Sequence, residues 1–215
     1  MGKKIIARNE AQISNDAAGM IVQPFSVNVR IQGVQDILFH RWAAEDVAEK
    51  ANAEKGAEVK KTDFIENYIY RNDEGYICIP GRYLMRAMQE AGLRFQDPSV
   101  TKMKTARDLV RAAIMTDEIY SPILVGGKPT KDWDYEDRQR ACIMKASITR
   151  TRPAFKKGWE VSFTLTNQAP QFLSEAFMRK LVDTAGLLVG IGNFRPTYGR
   201  FKVTNWEAVP SALPI

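Results

Sequence analysis

Two stretches of this chain share one order: an alternating apolar run, a helical period, then a second strand-like run. In the first, "PFSVNVRIQGV" sets Phe25, Val27, Val29 and Ile31 on one side of a half-buried strand. It is followed by "RYLMRAMQEAGLRF", where Leu84, Met88 and Ala91 share one helical face and Arg82, Arg86 and Glu90 lie near another. Two short strands in "EIYSPILVG" close this unit. In the second, the alternating run 159–166 precedes a helical period over 171–188 and the strand "FKVTNWEAV". The regular βαβ spacing of a parallel sheet is absent. The order predicts an α+β fold with helices on an antiparallel sheet, and a ferredoxin-like, RRM-like split βαβ core within that class.

The remaining segments fit around this frame. Residues 1–20 carry no period and read as an N-terminal arm of a single domain spanning 1–215. The Ala/Glu/Lys-rich "AAEDVAEKANAEKGAEVKK" predicts an exposed helix broken near Gly56. "YIYRNDEGYICIP" predicts a hairpin turning at Asn72–Gly75. A second helix is expected to start at a Ser99 cap in "SVTKMKTARDLVRAAIM". A Gly/Pro/Asp linker covers 126–137, and a long alternating run covers 141–152.

Composition narrows the function classes. With 215 residues, 45% hydrophobic and 26% charged, the chain can bury one sizeable core. Cys78 and Cys142 sit in apolar runs without metal-ligand spacing, so they read as buried free thiols suited to a reducing, cytoplasmic setting. No run of eighteen apolar residues exists, and "MGKKIIARNEAQ" lacks an apolar export core, so no membrane partner is expected. Gly190, Gly192 and Gly199 follow a helix and open a strand, the reverse of a dinucleotide fingerprint. "VGGKPT" has Pro where a phosphate-binding loop needs Ser or Thr. No cofactor or metal is expected. His40 stands alone, without a nucleophile motif, and reads as structural.

Charge is uneven. Residues 138–205 hold twelve Lys or Arg against three acids, although the chain's net charge is only +6. "RQRACIMKASITRTRPAFKKG" contains seven basic residues and no acid, a pattern that a solvated face alone can produce. The joint "LVGIGNFRPTYGRFKV" adds more: glycines that let backbone approach a ligand, Arg195 and Arg200 for charge, and Phe194 and Tyr198 as faces for stacking bases. Helix capping by Gly190 or Gly192 is compatible with this role.

Three stretches together resemble the RAMP superfamily, the RRM-like proteins that include backbone subunits of CRISPR effector complexes. "YICIPGRYLMRAMQEAG" is similar to their strand, Ile-Pro-Gly turn and helix. "IMKASITRTRPAFKKGWEVSFTL" is similar to their strand, basic thumb hairpin and returning strand, and "LVGIGNFRPTYGRFKV" to their C-terminal glycine loop. About a quarter of the chain is covered, in the expected order. Arg82 and Tyr83 stand where the family carries small residues. The resemblance implies a non-catalytic subunit of antiviral defence that binds single-stranded RNA or DNA, RNA favoured, and assembles with copies of itself or related subunits along the strand. It implies a sheet with aromatics and a protruding hairpin that suit splayed bases. Arg150, Arg152, Lys156 and Lys157 would sit on the thumb beside Lys145, and Gly190, Gly192, Arg195 and Arg200 on the glycine loop. Arg82 would meet a phosphate at a helix N-terminus. Two alternatives are an RNA endonuclease using Asp36 and His40, and a protein-binding assembly subunit or inhibitor that mimics a RAMP protein. Asp36 otherwise reads as a turn cap.

Overall fold

The computed structural model describes residues 23–41, 48, 52–54, 64–143 and 146–210. The expected N-terminal arm and nearly all of the helix after Ala43 lie outside the described residues. The rest is an α+β fold. Its main sheet is antiparallel and is ordered β12 (Phe201–Pro210), β1 (Phe25–Gly33), β11 (Glu160–Asn167). The far edge of β11 is shared by β5 (Ile114–Thr116) and by β7 (Leu124–Val125), with β8 (Lys128–Pro129) beyond. Two smaller sheets join β3 (Tyr70–Arg71), β4 (Ile77–Pro80) and β6 (Tyr120–Pro122), and β2 (Ile37–Leu38), β10 (Ala146–Phe155) and β9 (Tyr135–Ile143).

Alternation decides which sheet face is dry. Val27, Val29 and Ile31 of β1, with Val161, Phe163 and Leu165 of β11, are buried in one core with the helices. Each such side chain contributes about 1.5–3 kcal/mol through burial. That core receives Leu84, Ala87, Met88 and Ala91 of α1 (Gly81–Gly92) and Met178, Leu181 and Val182 of α3 (Glu175–Thr184). The opposite face of β1 and β11 is a polar ladder. Gln32 donates to Glu160 at 2.9 Å, Arg30 to Ser162 at 3.3 Å and Thr164 to Asn28 at 3.3 Å. These two strands therefore carry no aromatic on the open face, and the expected stacking platform on the sheet is absent there.

Three local expectations change. The second helix, α2, runs over Arg107–Ala113 instead of starting at Ser99. Ser99 gives both its backbone N–H and its hydroxyl to Asp97 Oδ1, at 2.8 and 2.6 Å, and Asp97 N–H bonds Lys104 O. Short polar side chains here satisfy the backbone outside a helix. α3 starts at Glu175, where Ser174 Oγ accepts from Phe177 N–H, and it ends in a π turn over Ala185–Val189. The run 141–152 is two strands, because β9 and β10 pair with each other through Ile143↔Ala146. No Gly or Pro marks that reversal in the sequence.

The same pairing relocates the hairpin. β10 was expected to return along 159–166, but it pairs with β9 and briefly with β2, while β11 belongs to the main sheet. Nine and ten residues long, β9 and β10 form a ribbon of roughly 30 Å at about 3.3 Å per residue. Lys156 and Lys157 lie at its root, on the corner into β11. Lys145 lies outside the described residues.

Candidate nucleic-acid interface

The glycine loop is fixed by its own packing. Gly190, Gly192 and Gly199 have φ of 75°, 86° and 76°. A Cβ on Gly199 would stand 1.7 Å from Ile191 O, and one on Gly192 would stand 2.8 Å from both Ile37 and Leu38 O. Ile191 N–H bonds Gly199 O, Asn193 N–H bonds Leu38 O and Gly199 N–H bonds Asp36 O. The glycines thus let the loop close on itself and on β2. The space a side chain would need at each of them is filled by protein, while Gly192 itself lines the wall of the neighbouring groove.

The loop displays Phe194 instead. It alone among the described non-glycine residues has positive φ, 52°, a conformation costly for a bulky side chain. Its ring is partly exposed, and the guanidinium of Arg152 lies 4.4 Å from the ring centroid. Arg195 is half-buried and meets Glu90 at 3.5 Å. Arg200 is half-buried, with its Nε enclosed and its carbonyl accepting from Val34 N–H. Tyr198 turns to the ribbon, where its hydroxyl accepts from Gln139 at 2.9 Å.

The basic ribbon has two faces. Opposed pairs in the register are Arg152↔Asp137, Arg150↔Gln139 and Ala154↔Tyr135, and they share the face turned toward the loop. Arg152 is 6% exposed, and Arg150 Nη1 reaches the Tyr68 hydroxyl at 3.4 Å. Arg152 is thus buried, and Arg150 is half-buried. Arg138, on the opposite face, is 71% exposed and pairs with neighbouring Glu136. At the root, Lys156 and Lys157 expose their side chains while their N–H groups bond Asp134 and Asp36.

Asp36 and His40 part company. Asp36 Oδ1 accepts from Lys157 N–H at 2.8 Å, Oδ2 from the Tyr135 hydroxyl at 2.7 Å, and its carbonyl from Gly199 N–H. It ties the β10–β11 corner, the root of β9 and the glycine loop together. Burial, then the bond to Asp36, pushes the Tyr135 hydroxyl pKa up. Ile37, Leu38 and Phe39 are fully buried, as the sequence suggests. His40 is exposed and packs edge-on against Tyr68, with ring centroids 4.7 Å apart.

His40, α1 and the loop enclose a groove of 810 Å³. Its walls combine Phe194, Arg195, Asn193 and His40 with Tyr83, Glu90, Leu93 and Arg94 of α1 and the turn after it, and with Leu188 of the π turn. Burial, then neighbouring Tyr70, pushes the Tyr83 hydroxyl pKa up. The one acid is engaged, since Glu90 Oε1 meets both Arg86 and Arg195. Arg82 begins the same helix face and donates to the Tyr70 hydroxyl at 2.8 Å. Sequence reasoning missed Tyr83, Arg94, Leu93, Leu188 and Asn193. The four-residue spacing of Arg82, Arg86, Glu90 and Arg94 was the available signal.

Among the described residues, no three His, Cys, Asp or Glu side chains gather in a metal-binding cluster, and no helix is long and apolar enough to cross a membrane. No protein-family model matches the sequence, and no curated protein matches it.

Proposed function

We propose that this chain is a non-catalytic binding protein for single-stranded nucleic acid, RNA favoured, of the RAMP type, working in the cytoplasm and assembling in copies along the strand. The observation that carries the reading is the groove, which combines exposed aromatic surface at Phe194, apolar side chains and two arginines, Arg94 and Arg195, with one neutralised acid. Its 810 Å³ falls within the about 300–1,000 Å³ of ligand sites. Stacking surface beside fixed cations suits unpaired bases on a phosphate backbone, whereas duplex reading needs an element fitted to a groove.

Strand order supports the ferredoxin-like part of the proposal. Counting β1, β5, β11 and β12 as the four core strands and α1 and α3 as the crossing helices, the connection is βαββαβ and the sheet order is fourth, first, third, second. The long β9–β10 ribbon supports reading it as the thumb. The non-catalytic part rests on Asp36, whose two carboxylate oxygens are both taken by structural donors. His40, exposed on the groove wall, favours the second reading, an RNA endonuclease.

The test is anisotropy of labelled single-stranded RNA, single-stranded DNA and duplex across a salt series, with RNA integrity followed in parallel. Tighter binding of single strands, weakening as salt rises, supports the proposal. RNA fragments that vanish with His40→Ala would replace it with the nuclease reading. No binding to any nucleic acid at low salt would leave the assembly-subunit reading.

A further inference from the structure

We infer that the strand lies lengthwise along α1, its phosphates over the stripe Arg82, Arg86 and Arg94 and one base against Phe194, with a footprint of about five nucleotides. This rests on the single-strand reading above and adds the path.

Three cavities line up to make the track. The 810 Å³ groove shares Tyr83, Arg195 and Gly192 with a neighbouring recess of 180 Å³, which also takes in Arg86. A third recess, of 410 Å³, continues past Tyr83 and Arg86 to Arg82. Residues four apart in a helix stand above one another, so Arg82, Arg86 and Glu90 form one row on α1, and Arg94 follows in the turn after it, where its N–H bonds Ala91 O. Within that row the only carboxylate is covered by Arg86 and Arg195. Arg94 is exposed and has no side-chain ion pair or hydrogen bond among the described residues.

The row runs from a buried tyrosine at one end to a partly exposed aromatic ring at the other. At one end Phe194 is held with φ of 52° and backed by Arg152, so one face of the ring is occupied by a cation while the ring still lines the groove. At the other end Tyr70 carries two guanidinium groups, Arg41 at 5.6 Å and Arg82 at 5.4 Å from its centroid. Like charges gathered on one ring repel, and a phosphate between them relieves that repulsion. From Arg82 to Gly92 the helical rise gives about 15 Å, and the turn that carries Arg94 extends it. At the 3.4 Å spacing of stacked nucleotides in one strand, this is about five residues.

Anisotropy on oligouridines from about two to about twelve nucleotides tests the footprint. Affinity should climb steeply to about five nucleotides and then level. Arg94→Gln and Arg82→Gln should each lower the salt slope by about 0.7, and Arg138→Gln on the ribbon should leave it unchanged. Arg94 has no side-chain partner to lose among the described residues, so that variant is expected to keep its melting temperature. A slope retained in Arg94→Gln and Arg82→Gln but lowered in Arg138→Gln would place the strand on the ribbon and overturn this path while leaving single-strand binding intact. Failure of every oligouridine to bind would overturn the underlying function as well.

Discussion

The β9–β10 ribbon and helix α1 both carry arginines, yet they use them differently. On the ribbon, Arg150 and Arg152 face inward, one reaching the Tyr68 hydroxyl and the other lying on Phe194 with 6% exposure. On α1 and the turn after it, Arg86 and Arg94 stay exposed above a groove. A cation buried on an aromatic ring stabilises the fold and is withdrawn from ligands, while an exposed one costs the fold little to leave available. Density of charge in the sequence marked the ribbon without telling its inward-facing arginines from exposed ones. The ribbon is the richer in arginine and lysine, and among the described residues both regions expose cations: Arg138 on the ribbon, and Arg86 and Arg94 on α1 and the turn after it.

Four perturbations sharpen or break this contrast. The largest effect is expected at the loop on which both regions depend. Gly199→Val drives a Cβ into Ile191 O and forces positive φ on a β-branched residue, so a loss of about 4 kcal/mol or outright failure to accumulate soluble protein is expected. Gly158→Ala also meets positive φ but opens into free space, and about 1 kcal/mol is expected. Urea unfolding of both variants measures the difference; equal losses would mean that loop closure is not what holds the groove.

Next comes Arg152→Ala, which should cost about 2 kcal/mol of stability by removing a buried cation from the Phe194 ring, with unaltered single-strand affinity in the folded fraction. Lower affinity at unchanged melting temperature would break the comparison and return Arg152 to the ligand. Tyr198→Phe removes the hydroxyl that accepts from Gln139 and should cost about 1 kcal/mol, again without loss of affinity. Thermal unfolding and anisotropy on the same Tyr198→Phe and Tyr198→Ala samples separate anchoring from stacking.

The smallest effect is at high pH. The hydroxyls of Tyr83 in the groove and Tyr135 at the ribbon root are pushed up, mainly by burial. A tyrosine raised above its unfolded value of about 10 contributes stability that is complete below about pH 10 and is lost as pH rises toward the folded value. Melting temperature should therefore fall above about pH 10, and Tyr83→Phe and Tyr135→Phe should each make that fall shallower. A slope identical to the parent in both would show that neither hydroxyl is protected by the fold.

Local chemistry made much of the fold legible. The period-two pattern of Val27, Val29 and Ile31 and the helical spacing of Leu84, Met88 and Ala91 required one dry side each, and β1 and α1 bury those residues. Asn72–Gly75 marked the β3–β4 turn, and the strand after the glycine loop was equally plain. These signals sit within a few residues of one another, so the sequence carries them directly. Partner choice between strands does not. Nothing in "ITRTRPAF" says that it pairs with β9 instead of β11, because the same alternation satisfies either neighbour. For the same reason the inward turn of Arg150 and Arg152, the tie of Asp36 to both Lys157 and Tyr135, and the meeting of His40, Phe194 and Arg94 at one groove were decided only by tertiary structure. Each depends on contacts between segments far apart in the chain, and burial and pairing of a charged side chain are properties of those contacts, not of the residue.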